Sequence, residues 1–431
     1  MAGTTKTDST NKRNINLRSN IRRLADSSKL ILIPVILALF IAIDLQNADA
    51  QTSRYEILTS PDLWYNDVDG IRVGVNFKGQ VPGTFEDGPH RLNAGFWLGT
   101  WFPDTPVSYY LLYTEPISAW SEYGSEASIE FVSSIRTGYH KHGIGFNKRW
   151  QQGFDERRYR EIHSRTTFEK RFDDEYVAFT PLWGDESKVL TDLHFELQND
   201  NRFGWYNINL EGNLQYLDDS FGTLQAEIIQ RAPINESWGF RFRYFTGVAT
   251  SDTQPEYLYS RSTAPAIQWM RNGVTRAKGT IPQPWMQSGN FNVAGGASLR
   301  GYSGFDVRSF KDDETGPLLY QSIAAVNIEF DYPNPIGNMF GKIPYASEFL
   351  AFRSYLFSDT GFGLGITDFE PENTYSNAGA GFALTLNIPD YHGKSRGFVL
   401  RYEIPFWLSE PGSEDAFKFR SLFGFGAVVT F

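Results

Sequence analysis

The sequence predicts an all-β protein, specifically a transmembrane antiparallel β-barrel. Several segments alternate strictly between apolar and polar residues, which is the period of a strand with two different faces. Aromatic residues make up 16% of the chain, yet the mean hydropathy is −0.37. A barrel wall produces this combination, because each strand shows apolar groups to lipid and polar groups to the lumen.

The N-terminal segment, residues 1–50, has the layout of an export signal. Basic residues precede an apolar run at 30–43, and the small-residue site Ala48-Asp49-Ala50 follows it. The run is shorter than the roughly 17–25 residues of a spanning helix. We therefore expect cleavage after Ala50 and a barrel over residues 51–431, in the outer membrane of a Gram-negative bacterium. The chain contains no cysteine, so no disulfide framework stabilises the exported protein.

The clearest predicted strand covers residues 206–216, where apolar residues alternate without a break with Asn207, Asn209, Glu211, Asn213 and Gln215. Similar alternation is found near residues 72–78, 193–198, 238–244 and 398–404. Strands of this kind must close into a barrel in lipid, because lipid satisfies no free backbone hydrogen bond. Residues 255–289 are the weakest region for strands, since their prolines cannot donate to a ladder.

A soluble periplasmic β-sandwich or a lipocalin-like barrel would show the same alternation. Two features favour the membrane barrel instead. The chain holds 35 Phe, 22 Tyr and 11 Trp, which suit the aromatic girdles of a bilayer interface. The chain also ends in a predicted strand that resembles the C-terminal signal by which outer-membrane barrels are recognised for insertion. The residues that share one face of this strand are Phe423, Phe425, Ala427, Val429 and Phe431.

An ordered set of residues in the C-terminal third carries a family resemblance. The loop motif Leu299-Arg300-Gly301-Tyr302 follows two glycines, and an alternating segment after it contains Glu329. Asp359 and Gly361 then lie in Phe-Ser-Asp-Thr-Gly. Five strands are predicted after the motif, near residues 320–332, 349–361, 378–388, 397–406 and 421–431. Over about residues 290–431, this order resembles the BamA-type superfamily of outer-membrane assembly and translocation barrels.

The resemblance implies a barrel of sixteen strands in which the sixth external loop folds into the lumen. There Arg300 would meet two wall carboxylates on the twelfth and thirteenth strands, Glu329 and Asp359. A guanidinium suits this role, because it can hold carboxylates through paired, charge-assisted hydrogen bonds. The flanking glycines would let the loop pass close to the wall. We therefore expect Leu299, Arg300, Gly301 and Tyr302 to lock the loop.

The resemblance also implies a role in the assembly, insertion or transport of proteins at the outer membrane. BamA-type factors carry periplasmic POTRA domains before the barrel, but little chain precedes the first predicted strand near Arg72. We expect no POTRA domain, so periplasmic or lipoprotein partners would supply that function. A passive diffusion pore and a structural scaffold of a surface complex are the alternatives, and an outer-membrane lipid enzyme is the least favoured.

Other chemistry has weaker support. His140 and His142 could bind a metal, but alternate strand positions facing a lumen explain both and no third ligand is evident. The arginines between Arg157 and Arg165 could contact lipopolysaccharide phosphates, although a solvated loop or turn is the more frequent explanation of such a run. Neither Gly-x-Ser-x-Gly nor His-Glu-x-x-His occurs. We expect no catalytic residue, metal or cofactor; outer-membrane lipids and lipopolysaccharide are the expected surroundings. A net charge of −10 argues against a nucleic-acid partner.

Overall fold

The computed structural model describes residues 55–153, 155–235, 237–271, 277–304, 308–309, 315–340, 342–343, 349–364, 374–389 and 395–428. The expected signal peptide, together with Val429 and Phe431, lies outside these residues. The chain divides into two units, Met1–Tyr55 and Glu56–Phe431, and the second holds all the described secondary structure. Among the described residues, no helix is both long enough and apolar enough to cross a bilayer.

Strands dominate the second unit. They are β1 Glu56–Asn66, β2 Gly70–Gln80, β3 Arg91–Gly99, β4 Val107–Pro116, β5 Ser125–Arg136, β6 Tyr139–Gln151, β7 Tyr159–Arg171, β8 Lys188–Asn201, β9 Gly204–Gln215, β10 Phe221–Pro233, β11 Gly239–Ala249, β12 Phe291–Val293, β13 Arg308–Ser309, β14 Thr315–Gly316, β15 Ser322–Tyr332, β16 Leu350–Leu364, β17 Tyr375–Pro389, β18 Ser395–Leu408 and β19 Leu422–Val428.

Sixteen of these strands form one antiparallel meander. Strands β1 to β11 pair in chain order, β11 pairs with β15, and β15 to β19 again pair in order. The short β12 adds a seventeenth strand, parallel to β19, and β13 and β14 form a separate hairpin. The prediction of an all-β antiparallel sheet is therefore confirmed. Within the described residues β1 and β19 are not paired, so hydrogen bonds do not join the two ends of the meander there.

The sheet is apolar on its exposed face and polar on its covered face. In β9, Leu210 and Leu214 are exposed, whereas Asn207 and Asn213 on the opposite face are buried. Strand β15 repeats this pattern, with Val326 and Ile328 exposed beside buried Asn327 and Glu329. A water-soluble sheet would show the reverse arrangement, since burial of apolar surface drives folding in water. The arrangement is typical of a wall with lipid on its outside.

The first strand was not predicted from the sequence. We expected the first strand near Arg72, but β1 begins at Glu56. Pro61 and Asp62 obscure the alternation, although Ile57, Leu63 and Tyr65 do point outward. A proline fits here because β1 has only β2 as a partner among the described residues, and an edge strand tolerates a missing N–H.

The 72 residues between β11 and β15, residues 250–321, form the longest connection, called here the inner loop. It contains β12 to β14 and the short helices α1 (Ala266–Arg271) and α2 (Gln283–Gln287), while α3 (Pro335–Phe340) follows β15. Apart from three-residue β12, no strand is described between 250 and 300, in line with the weak strand pattern at 255–289. Clusters around Tyr259 and Tyr257 pack the inner loop against the covered face of the sheet. A third cluster, around Trp269, packs it against Phe179 and Leu182 of the β7–β8 connection.

Candidate functional site

Arg300 lies in a single helical turn of the inner loop, Arg300–Tyr302, and is almost fully buried. Its guanidinium meets Asp359 on β16 through a two-pronged contact, with Nε to Oδ2 at 2.9 Å and an η nitrogen to Oδ1 at 2.6 Å. The backbone N–H of Arg300 also donates to Asp359 Oδ2, at 3.1 Å. Asp359 has no exposed surface, so these bonds replace the water that its charge has lost.

Two further carboxylates complete the arginine site. The other η nitrogen of Arg300 donates to Glu329 Oε1 on β15 at 2.8 Å and to Glu403 Oε1 on β18 at 2.9 Å. The expected pair of wall carboxylates is thus brought to the arginine on neighbouring strands, the twelfth and thirteenth of the meander. The sequence analysis did not predict Glu403 as a partner of Arg300. Its place on the polar face of an alternating segment was the feature that could have indicated it.

The buried charges at this site are balanced by two wall arginines. Arg353 donates to Glu329 Oε2 at 2.7 Å, and Arg401 lies 3.4 Å from Glu329 Oε1. Three guanidinium groups therefore face three carboxylates, and Tyr355 donates a further hydrogen bond to Glu403 at 2.7 Å. Breaking one member of such a buried network leaves an uncompensated charge, which costs about 3–5 kcal/mol.

The backbone next to Arg300 is held by the wall as well. Asn327 donates to the carbonyl oxygen of Ser298 at 3.0 Å and to Asp359 Oδ1 at 3.0 Å. Arg243 on β11 donates to the carbonyl oxygen of Gly296 at 2.6 Å. The strand register explains the contact between Asn327 and Asp359, since these residues are directly opposite on β15 and β16.

The glycine of the motif is required by close packing. A Cβ at Gly301 would lie 2.3 Å from Leu408 Cδ2 and 2.7 Å from Asn377 Cβ, so the loop can approach β17 and β18 only without a side chain there. Gly361 is similarly placed, because its Cβ would lie 2.7 Å from the carbonyl oxygen of Ala324 on the neighbouring strand. Both glycines therefore set how tightly backbone segments can pack.

The other two motif residues fasten the loop through different contacts. Leu299 is fully buried in a cluster with Phe245, Tyr259 and Tyr320. The hydroxyl of Tyr302 donates to the carbonyl oxygen of Ser376 at 3.1 Å, at the start of β17. All four motif residues thus contact the wall or pack in the core beneath it.

A second buried ion pair holds the inner loop to a different part of the sheet. Glu256 forms a short contact with Lys188 on β8, and its other oxygen accepts the Gly184 N–H at 3.0 Å. Both charged side chains are at most 2% exposed. Sequence reasoning missed this pair, because the two residues are 68 positions apart and neither belongs to a motif.

Backbone pairing adds contacts to both ends of the meander. In β12, Phe291–Val293 runs parallel to Phe423–Phe425 of β19. Near β1, the Asp67 N–H donates to the carbonyl oxygen of Lys278 at 2.9 Å, and the Lys278 N–H donates to that of Tyr176 at 2.7 Å. The inner loop therefore contacts strands or connections from the start, the middle and the end of the meander.

The remaining expected site residues are dispersed. Phe425 and Ala427 lie in β19, whereas Val429 and Phe431 lie outside the described residues. The expectation that His140 and His142 face the lumen is wrong, because both share the outward face of β6 with exposed Ile144. His142 Nδ1 lies 3.0 Å from Ser133 Oγ. The described part of the chain brings together no group of three His, Asp or Glu side chains that could hold a metal.

The arginines between Arg157 and Arg165 do not form one patch. Arg158 pairs with Asp200 at 2.7 Å at the end of the sheet where β1 begins. Arg165 instead pairs with Glu130 within the wall, and Arg160 stacks over Trp150. These side chains therefore offer no single surface for a phosphate-rich partner.

Neither a protein-family model nor a curated protein matches the sequence. Among solved structures, the chain is similar to BamA from Haemophilus ducreyi lacking POTRA domains 1–3, with 13% identity, a TM-score of 0.48, and coverage of 87% of this chain and 70% of the other. It is also similar to CdiB from Acinetobacter baumannii, with 11% identity, a TM-score of 0.37, and coverage of 86% of this chain and 59% of that one.

Proposed function

We propose that the chain is an outer-membrane β-barrel of the BamA type that acts in the assembly, insertion or transport of other molecules across or into the membrane. The exposed apolar wall and buried polar face support a membrane position for the sheet. The outer membrane of a Gram-negative bacterium is the proposed location, because bacterial barrels of this kind, with polar interiors and up-and-down strands, occur there.

One observation favours an occluded translocator over a passive pore. The inner loop is fixed by Arg300 to β15, β16 and β18 and by Glu256 to β8, so it crosses the polar side of the sheet between distant strands. An open diffusion pore needs a water-filled lumen. A loop fixed by buried charges and apolar clusters fills that space, and it suits a channel that opens only when a substrate or partner displaces the loop.

The proposed surroundings follow from the same assignment. Outer-membrane phospholipids and lipopolysaccharide would contact the apolar face. A periplasmic protein or lipoprotein would deliver substrates and so supply the POTRA function. The role is mechanical and non-enzymatic in this proposal, because the loop site consists of balanced ion pairs and offers no nucleophile paired with a base.

Conductance across a planar lipid bilayer tests this function. Wild-type protein should give low, fluctuating conductance, since the loop occludes the lumen. Deletion of residues 299–302 should give larger and steadier openings, and Arg300→Ala should raise the frequency of opening. Trp285→Ala serves as the matched control, because Trp285 is an exposed residue of the same loop that takes no part in the Arg300 site.

The opposite pattern would favour the second candidate, a passive pore. Steady, high conductance in the wild type, unchanged in all three variants, would be incompatible with an occluding loop.

A folding assay tests the assembly role. Liposomes that contain the protein are mixed with an outer-membrane barrel protein that has been unfolded in urea. Faster folding of that barrel than in empty liposomes supports insertion, and equal rates leave transport as the proposed role.

A further inference from the structure

A cavity of about 640 Å³ lies at the end of the sheet where β1 begins and β19 ends. Its lining comes from four places: the β6–β7 connection, the β8–β9 hairpin next to its turn, the β10–β11 turn and the segment after β15 that contains α3. Arg300 is not among its lining residues, although Arg353 lines the cavity and also contacts Glu329 of the Arg300 site. A phosphate or carboxylate group, with part of the molecule that carries it, would fit this volume.

Four arginines line the cavity: Arg231 on β10, Arg241 on β11, Arg353 on β16 and Arg157 in the β6–β7 connection. Arg157 pairs with Asp155 at 3.8 Å. Arg231 and Arg241 are directly opposite each other in the β10–β11 register. Like charges in this relationship destabilise a sheet. Such a pair is expected to persist where a negative group offsets the repulsion.

The carboxylates nearby are already engaged. Asp331 accepts a hydrogen bond from Arg353 at 2.7 Å and lies 3.3 Å from Arg241, so two guanidinium groups share this carboxylate. Asp200 lines the cavity but pairs with Arg158 at 2.7 Å. Glu329 is taken by Arg353 and by Arg300. The cavity therefore holds more positive than negative charge among the described residues.

Arg231 is the arginine of the cavity that forms no ion pair within the described residues. Its guanidinium lies over the ring of Trp205, 4.7 Å from the ring centre. Within the described ranges, no carboxylate lies at ion-pair distance from it. A half-buried guanidinium that has only an aromatic face as its partner keeps several N–H donors for a ligand.

We propose that this cavity binds a phosphate-type oxyanion through Arg231 and Arg241, with Arg353 as the third cation. Guanidinium forks match the spacing of phosphate oxygens and give bidentate contacts. Trp205, Trp238 and Tyr332 also line the cavity and offer apolar surface to the group that carries the phosphate. Two sources share this chemistry, a phospholipid headgroup and free inorganic phosphate.

Phosphorus NMR of the protein in dodecyl maltoside, which contains no phosphate, tests the proposal. The probes are inorganic phosphate and dihexanoyl phosphatidylglycerol, each titrated separately and then in competition. Wild-type protein should bind at least one of them saturably. Arg231→Gln/Arg241→Gln should bind it at least about tenfold more weakly, because two charge-assisted contacts are lost.

Arg202→Gln is the matched control, since Arg202 is exposed at the same end of the sheet, stacks on Phe203 and does not line the cavity. It should bind like the wild type. Binding of phosphatidylglycerol that free phosphate displaces only weakly identifies a headgroup site, and equal or tighter binding of free phosphate identifies an inorganic anion site. No saturable binding, or equal binding in all three proteins, would overturn the proposal.

Thermal unfolding separates a ligand site from a structural role of Arg231. Without phosphate, Arg231→Gln should unfold at the same or a higher temperature than the wild type, because the cross-strand repulsion is gone. Added probe should then raise the unfolding temperature of the wild type and not that of the variant. A variant that unfolds at a lower temperature and still gains the full shift from the probe would contradict the assignment.

Discussion

Glu256 of the inner loop and Lys188 of β8 form an ion pair in which both side chains are withdrawn from solvent, far along the sheet from the Arg300 site. The inner loop is therefore held at two separate buried sites, the Glu256–Lys188 pair and the Arg300 site. Each pairing can be removed alone, so their contributions to stability can be measured independently.

Arg300→Ala should lower the temperature at which the protein loses its heat-resistant mobility on a semi-native gel. The change leaves Asp359, Glu329 and Glu403 buried with fewer cations, at a cost of about 3–5 kcal/mol. The transition temperature of Arg300→Lys should lie between those of the wild type and Arg300→Ala, since an ammonium keeps the charge but cannot make the two-pronged contact. A gel transition at the wild-type temperature for Arg300→Ala would remove the arginine from the stabilising contacts.

Lys188→Met should also destabilise, because the buried Glu256 carboxylate then loses its ion-pair partner and keeps only the Gly184 N–H. The double variant Lys188→Met/Glu256→Leu should recover most of the loss, since an apolar pair of similar volume avoids the desolvation penalty. Unfolding temperatures of the two single variants and the double variant give the coupling between the residues. Additive losses would mean that the two side chains act separately.

Gly301→Ala should destabilise by about 1–3 kcal/mol, because the new methyl group meets Leu408 and Asn377. Gly301→Ala/Leu408→Ala should recover part of this loss. Gly212→Ala is the control, since a Cβ there would meet nothing closer than 3.6 Å. Equal effects of the two glycine substitutions would show that packing at Gly301 is not tight in solution.

Glu86, in the turn after β2, provides a pH test. Burial raises the pKa of its carboxyl above the ordinary value, although the Arg149 ion pair at 3.0 Å acts in the opposite direction. A raised folded-state pKa means that this group favours folding most at low pH, and the benefit is lost as the pH rises through that pKa.

Glu86→Gln should therefore be as stable as the wild type near pH 4 and more stable at pH 7, where the wild-type carboxylate is charged and poorly hydrated. Unfolding temperatures of both proteins at the two pH values measure the difference. If Glu86→Gln is the less stable protein at pH 7, the Arg149 ion pair outweighs the burial of the charge.

Alternation in the sequence predicted the strands well because it records which face each residue occupies. The strands around Ile208, Phe242 and Leu400 follow directly from it. It does not record partners, so Glu403 could be placed on the polar face but not next to Arg300. The Glu256–Lys188 pair could not be predicted at all, since only the path of the loop brings them together. Strand β1 was not predicted because it contains Pro61, and a proline normally argues against a strand. Edge strands tolerate proline, since one of their two edges needs no N–H donor.

The parallel pairing of β12 with β19 has a consequence for how the sheet can end. A strand has two hydrogen-bonding edges, and β18 occupies one edge of β19. At Phe423–Phe425 the chain's own loop takes the other edge, so these positions cannot bond to β1 at the same time. Closure of the sheet by pairing β19 with β1 would therefore use the same backbone groups that β12 of the inner loop now occupies. At these three positions each pairing excludes the other.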